Sequence, residues 1–190
     1  MPAPLLSREE VLDRILAEFR LRGFDASSLS DLSSATGLGR SSLYHHFPDG
    51  KQQMAAEVLA HLQATLQNAV FTPLRQVRPA KKRLDGLLDA IDAFYRGGKD
   101  ACLLERLSAS TAARSLQAPL RETFVAMMSA FEETARDAGL TPAVARSRSE
   151  DAVIRIEGSL VVCAGMADTG PFARVIRHLR RSFLDASDRS

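Results

Sequence analysis

The chain has 190 residues, 45% of them hydrophobic and 25% charged, enough to bury a core and to form one domain or two small ones. Its formal charge of +2, with a pI near 8.7, neither demands nor excludes a nucleic-acid partner. No long apolar run is present and "MPAPLLSREEVL" lacks the basic start and apolar centre of a secretory signal, so a cytoplasmic protein away from membranes is expected. Cys102 and Cys163 stand singly in apolar segments, without CxxC spacing or clustered histidines. Buried reduced thiols are expected from them, and neither a metal site nor a cofactor.

The chain reads as helical throughout. Ser7 and Glu10 have the spacing of a capping box, after which Val11, Leu12, Ile15, Leu16 and Phe19 recur at helical spacing as far as Gly23. "GFDASS" interrupts the pattern. Ser28 then caps a short helix with Asp31 three residues on, ending at Gly37, and a second short helix runs from Arg40 towards Phe47. Two short helices joined by a glycine-containing turn are a candidate helix-turn-helix. Pro48, Asp49 and Gly50 make a turn, and residues 51–71 read as one long helix with Met54, Val58, Leu62 and Leu66 inward. The proline-flanked "TPLRQVRPA" is the expected domain boundary. Beyond it lie a stripe from Leu84 to Tyr95 that stops at "RGGKD", and a second through Leu120, Phe124, Met127 and Phe131 that stops at Gly139. A helix opened by Thr141 and Pro142 and a last one from Pro171 to Phe183 complete the pattern, with no strand signal or repeat.

A helix that reads the major groove needs short side chains at its start and hydrogen-bonding groups around it for phosphates. Arg40, Ser41 and Ser42 open the short helix, the serines supplying the first and Arg40 able to contact guanine in bidentate fashion; Tyr44 and His46 carry donors suited to phosphate. Ser28 and Lys51 stand at helix starts, where the backbone N–H groups favour an anion. Bulk charge does not help: residues 1–51 hold six basic and seven acidic side chains, a balance of −1.

The stretch "GFDASSLSDLSSATGLGRSSLYHHFPDGKQQM" resembles the DNA-binding region of TetR-family transcriptional regulators, with a glycine and aromatic closing helix one, a helix-turn-helix, an "LYxHF" ending and a lysine. The spacing in "FPDGK" is one residue longer than usual, as in a branch that includes regulators of drug-efflux genes. The resemblance implies an all-α fold. An N-terminal three-helix head (1–51) is followed by a connecting helix four (51–71) and by a larger helical ligand-binding and dimerisation domain (72–190). It implies that Arg40, Ser41 and Ser42 face base edges, that Ser28, Tyr44 and His46 hold phosphates, that Lys51 adds a phosphate contact, and that His45 occupies a variable position of the same interface.

It further implies a ligand-responsive regulator, most often a repressor, that binds a palindromic operator in double-stranded DNA as a homodimer. Its last two helices, "VIRIEGSLVVCAG" and "FARVIRHLRRSFL", offer apolar positions for that pairing, and Gly158, Ala164 and Gly165 permit close approach. Phe94, Tyr95, Cys102, Met127 and Phe131 are candidate lining residues for a small-molecule effector. No GxSxG, HExxH, Walker loop or GxGxxG is present, so no enzyme is expected. The alternative is a TetR-like protein that binds another protein instead of DNA, motivated by the −1 balance of the head.

Overall fold

The computed structural model describes residues 6–185, and every regular element in that range is helical. In chain order these are α1 (Arg8–Arg22), α2 (Leu29–Thr36), α3 (Arg40–His46), α4 (Lys51–Leu66), a π-helical turn (Gln67–Phe71), α5 (Thr72–Arg75), α6 (Ala80–Phe94), a 3-10 turn (Arg96–Gly98), α7 (Leu103–Ser108), α8 (Gln117–Asp137), α9 (Pro142–Met166) and α10 (Gly170–Ser182). No helix among the described residues is long and apolar enough to cross a membrane.

The chain divides into two compact units. The first comprises residues through Ala64 together with Leu103–Leu120. Both expected capping boxes form there. The Glu10 amide donates to Ser7 Oγ at 3.2 Å while Ser7 N–H donates to Glu10 Oε2 at 2.7 Å, and Ser28 and Asp31 repeat the exchange at 3.1 and 2.9 Å. These bonds favour the charged carboxylates and hold Glu10 and Asp31 below their ordinary range. Ile15, Phe19, Leu32, Leu43, Phe47, Met54 and Leu59 are among the most completely buried side chains, and they recur at the spacing that places one face of each helix inward.

Residues 103–120 pack with this unit. Leu103, Leu104 and Leu107 are buried, Asp25 accepts hydrogen bonds from the Thr111 amide (3.1 Å) and hydroxyl, and Gln63 Nε2 donates to Pro119 O at 2.8 Å. The Thr111 hydroxyl, then its amide, hold the Asp25 carboxyl below its ordinary range. "CLLERLS" is too short to show a helical period, so only the packed structure identifies its partner.

The second unit comprises Thr65–Cys102 and the residues from Arg121 onward. Its interior includes Leu84, Leu87 and Leu88 of α6, Phe131 of α8, Ile156 and Leu160 of α9, and Phe172, Ile176 and Leu179 of α10. The single helix expected over 51–71 passes at Leu66 into the π-helical turn, and "TPLR" continues it as α5. Pro73 follows closely on the π-helical turn, where the regular i to i−4 ladder is already interrupted. Cys102 and Cys163 are buried thiols, 3% and 4% exposed.

Candidate nucleic-acid interface

The angle between α2 and α3 is fixed by hydrogen bonds in a short turn. Gly37 closes α2 at φ 73°, in the left-handed region where glycine is preferred, and its N–H donates to Ser33 O at 2.9 Å. Ser33 Oγ donates to Leu38 O (2.5 Å), Leu38 N–H to Thr36 Oγ1 (3.3 Å), and Arg14 Nη1 reaches from α1 to Thr36 O (3.1 Å). Ser33 O and Thr36 O, two of the last carbonyls of α2, thereby gain donors from the protein itself.

With the turn fixed, α3 buries Leu43 and closes on buried Phe47, one turn apart, and turns its other face outward. Arg40, Ser41, Ser42, Tyr44 and His45 are exposed, Tyr44 by 48%. They form one continuous polar surface on a rigid helix. His46 is half-buried at the edge: its carbonyl accepts from Arg8 Nη2 at 3.3 Å and its Nδ1 lies 3.4 Å from Arg8 Nη1. Arg8 also pairs with Glu57 of α4 and stacks 4.8 Å above the Phe47 ring, bracing the end of α3 against α1 and α4. The sequence carries no local signal for this brace, since Arg8 and His46 are 38 positions apart.

Charge on the head is distributed by pairing. Arg8 meets Glu57, Arg22 lies 2.7 Å from Glu18, and Arg14 spends a donor on Thr36 O. Arg40 meets no carboxylate among the described residues, so its charge remains available at the mouth of α3.

Two expected phosphate contacts look different in the folded head. Lys51 points inward: its ammonium donates to Phe24 O at 2.8 Å, Ser27 O at 3.1 Å and Asp25 O at 3.4 Å, and sits 4.4 Å from the Phe24 ring centre. Its three donors join the start of α4 to the loop before α2. The Ser28 hydroxyl donates to Asp31 Oδ2 at 2.6 Å and accepts from the Asp31 amide, so its proton is committed to the cap.

Of the candidate effector-site residues, Phe94, Tyr95 and Cys102 gather at one place. Tyr95 Oη lies 3.4 Å from Cys102 Sγ and 3.3 Å from Glu157 Oε1, and the Tyr95 ring packs edge-on against Phe94 and Phe172. Met127 and Phe131 lie on α8, 6% and 0% exposed, and Phe131 packs against Phe183 at 5.3 Å.

The sequence and the fold both have recognisable relatives. The family model described as bacterial regulatory proteins, tetR family, matches residues 11–58, the helix-turn-helix with its supporting helices. The HTH-type transcriptional regulator LmrA of Bacillus subtilis is 22% identical over 173 residues, covering 89% of this chain and 92% of that protein. The TetR transcriptional regulator from Legionella pneumophila superposes with a TM-score of 0.81 at 17% identity, over 95% of this chain and 99% of that one. A cysteine mutant of the TetR-family regulator CifR, complexed with a 26 bp double-strand operator DNA, superposes with a TM-score of 0.72 at 20% identity over 96% and 99% of the two chains.

Proposed function

We propose, from the premise that this chain belongs to the TetR family of DNA-binding transcriptional regulators, that it is a repressor which binds a palindromic operator through α3 and is released by a small-molecule effector. The observation that carries the DNA-reading assignment is the outward face of α3, where Arg40, Ser41, Ser42 and Tyr44 are exposed on a helix whose other face is anchored by Leu43 and Phe47. Arg40 is suited to a bidentate base contact, and the two serines are short enough to let the helix approach the groove floor. Tyr44, His45 and the edge of His46 would grip the flanking phosphates, and such contacts position without specifying. The protein acts where its DNA is, in the cytoplasm.

Selection of bound DNA from a random pool tests this directly. A recovered palindrome is expected, with Arg40→Ala losing about 1–3 kcal/mol of discrimination at one base position and Tyr44→Phe weakening all sequences alike. Recovery of no motif would shift the assignment to a protein partner, the reading that the −1 balance of residues 1–51 favours. For the effector, Phe94, Tyr95, Cys102, Met127 and Phe131 supply apolar surface, and tenfold release of DNA requires about 1.4 kcal/mol of preference for the DNA-incompetent state. Compounds that release the recovered operator equally from wild type and from Phe94→Ala and Met127→Ala variants would remove those residues from the site.

A palindrome implies a pair of heads, with half-sites one helical turn or a multiple apart. The α9 face supports pairing with a second copy: Ile154, Val161, Val162 and Met166 are 67%, 53%, 45% and 62% exposed, and Gly158 and Gly165 between them have open space where a Cβ would stand. Large exposed apolar side chains on one helix face mark an association surface. Sedimentation is expected to show twice the 20.7 kDa chain mass for wild type, and a single-chain mass for Val161→Glu, whose side chain is exposed in the monomer and so leaves folding intact. A wild-type monomer, or a variant that still pairs, would refute this surface.

A further inference from the structure

The start of α6 and the end of α8 enclose an open cleft of about 380 Å³ that serves none of the roles above. Its lining consists of Arg75, Arg78, Arg83, Arg136, Glu133 and Asp137. Four guanidiniums thus face two carboxylates. The count becomes four against three when Glu132, 4.0 Å from Arg136 on the same helix, is included.

The cleft is held by a buried cation. Arg83 is 5% exposed, and a guanidinium in that position is costly unless its donors are used. Its Nη1 lies 2.6 Å from Asp137 Oδ2, its Nη2 donates to Arg75 O at 2.9 Å, and its Nε to Val77 O at 3.4 Å. Arg83 therefore pins the backbone that carries Arg75 and Arg78. Arg75 gives Nε and Nη2 to the two oxygens of Glu133, both at 3.0 Å, and Arg78 pairs with Asp137. Asp137 is held below its ordinary range, first by the Arg78 hydrogen bond and then by Arg83, so it remains ionised beside them.

A guanidinium presents five N–H donors, and the Glu133 contacts use two of those on Arg75. Arg75, Arg78 and Arg136 have side chains 52%, 63% and 57% exposed, so their remaining donors are open to solvent and close on a ligand without unfolding anything. The fork of arginine matches the paired oxygens of carboxylate and phosphate alike. The volume lies in the range of small-ligand sites, about 300–1,000 Å³.

We infer that this cleft binds a small multivalent oxyanion, a phosphate or a polycarboxylate, through Arg75, Arg78 and Arg136, with Arg83 fixing their positions. The inference is independent of which DNA or protein the head recognises. Titration calorimetry of the full chain with inorganic phosphate and, separately, with citrate tests it, at an ionic strength held constant with sodium chloride. Saturable binding is expected from at least one of the two anions. An Arg78→Ala, Arg136→Ala double variant should bind about tenfold or more weakly, and Arg121→Ala, on the opposite end of α8, should bind as wild type. Binding of citrate alone assigns a polycarboxylate, and of phosphate alone a phosphate group. No saturable binding of either anion, or equal affinity in the double variant with an unchanged melting curve, would overturn the assignment.

Discussion

Lys51→Met is expected to lower the stability of the first unit by about 2–4 kcal/mol while leaving the salt dependence of the proposed operator binding unchanged. The ammonium satisfies the carbonyls of Phe24, Ser27 and, at longer range, Asp25, and methionine supplies none of these donors. Losing the donor while keeping partly buried acceptors costs more than losing both partners, because the carbonyls are left without the water they gave up on folding. The contact with the Phe24 ring at 4.4 Å is lost as well, and the thioether chain recovers part of the packing. Urea denaturation gives the stability change, and operator titrations over a salt series give the second quantity. A phosphate-contacting lysine predicts the reverse: unchanged stability and a salt slope shallower by about one. That reverse pattern would favour the phosphate role for Lys51 over the inward one.

Gly98→Ala should be the more damaging of two adjacent alanine substitutions in "RGG", at about 2–5 kcal/mol, against about 1–2 kcal/mol for Gly97→Ala. Arg96, Gly97 and Gly98 take φ values of 47°, 68° and 87°, a run of left-handed backbone that turns the chain after α6. Both substitutions carry the backbone penalty for a Cβ in that region. Only Gly98 adds a collision: its Cβ would lie 2.8 Å from Phe172 Cβ and 3.0 Å from Cγ, whereas nothing lies within 4 Å of a Cβ at Gly97. Phe172 is fully buried and packs edge-on against Tyr95, so it has no room to yield. The larger loss is a sizeable part of the roughly 5–15 kcal/mol that holds a domain together. Chemical denaturation of the two variants side by side is the measurement. Equal losses would mean that Phe172 moves aside and that backbone strain alone sets the requirement for glycine.

The elements legible in the sequence are those whose cause is local. The capping boxes at Ser7 and Ser28 need only three-residue spacing, and both form. Gly37 ends α2 because one residue there must be left-handed, and Leu43 with Phe47 shows the buried side of α3 by a one-turn repeat. From these the exposed side of α3, with Arg40, Ser41, Ser42, Tyr44 and His45, follows by subtraction. The cleft left a fainter trace. Arg83 precedes Leu87 by one turn and so falls on the apolar stripe of α6, and a charge on a buried stripe signals a partner without naming it.

The sequence by itself therefore determined the longer helices, their caps and the polar face of α3, since each depends on residues within a turn or two of one another. Tertiary structure alone decided that Lys51 turns inward to carbonyls 24 to 27 positions away, that Thr111 meets Asp25 across 86 positions, and that Arg75, Arg78 and Arg83 meet Asp137 and Glu133. The reason is that a charged side chain's local sequence shows its donors but not its acceptors. Which acceptors lie within 3 Å is set only when separate helices pack, and packing is fixed by the apolar faces rather than by the charges themselves.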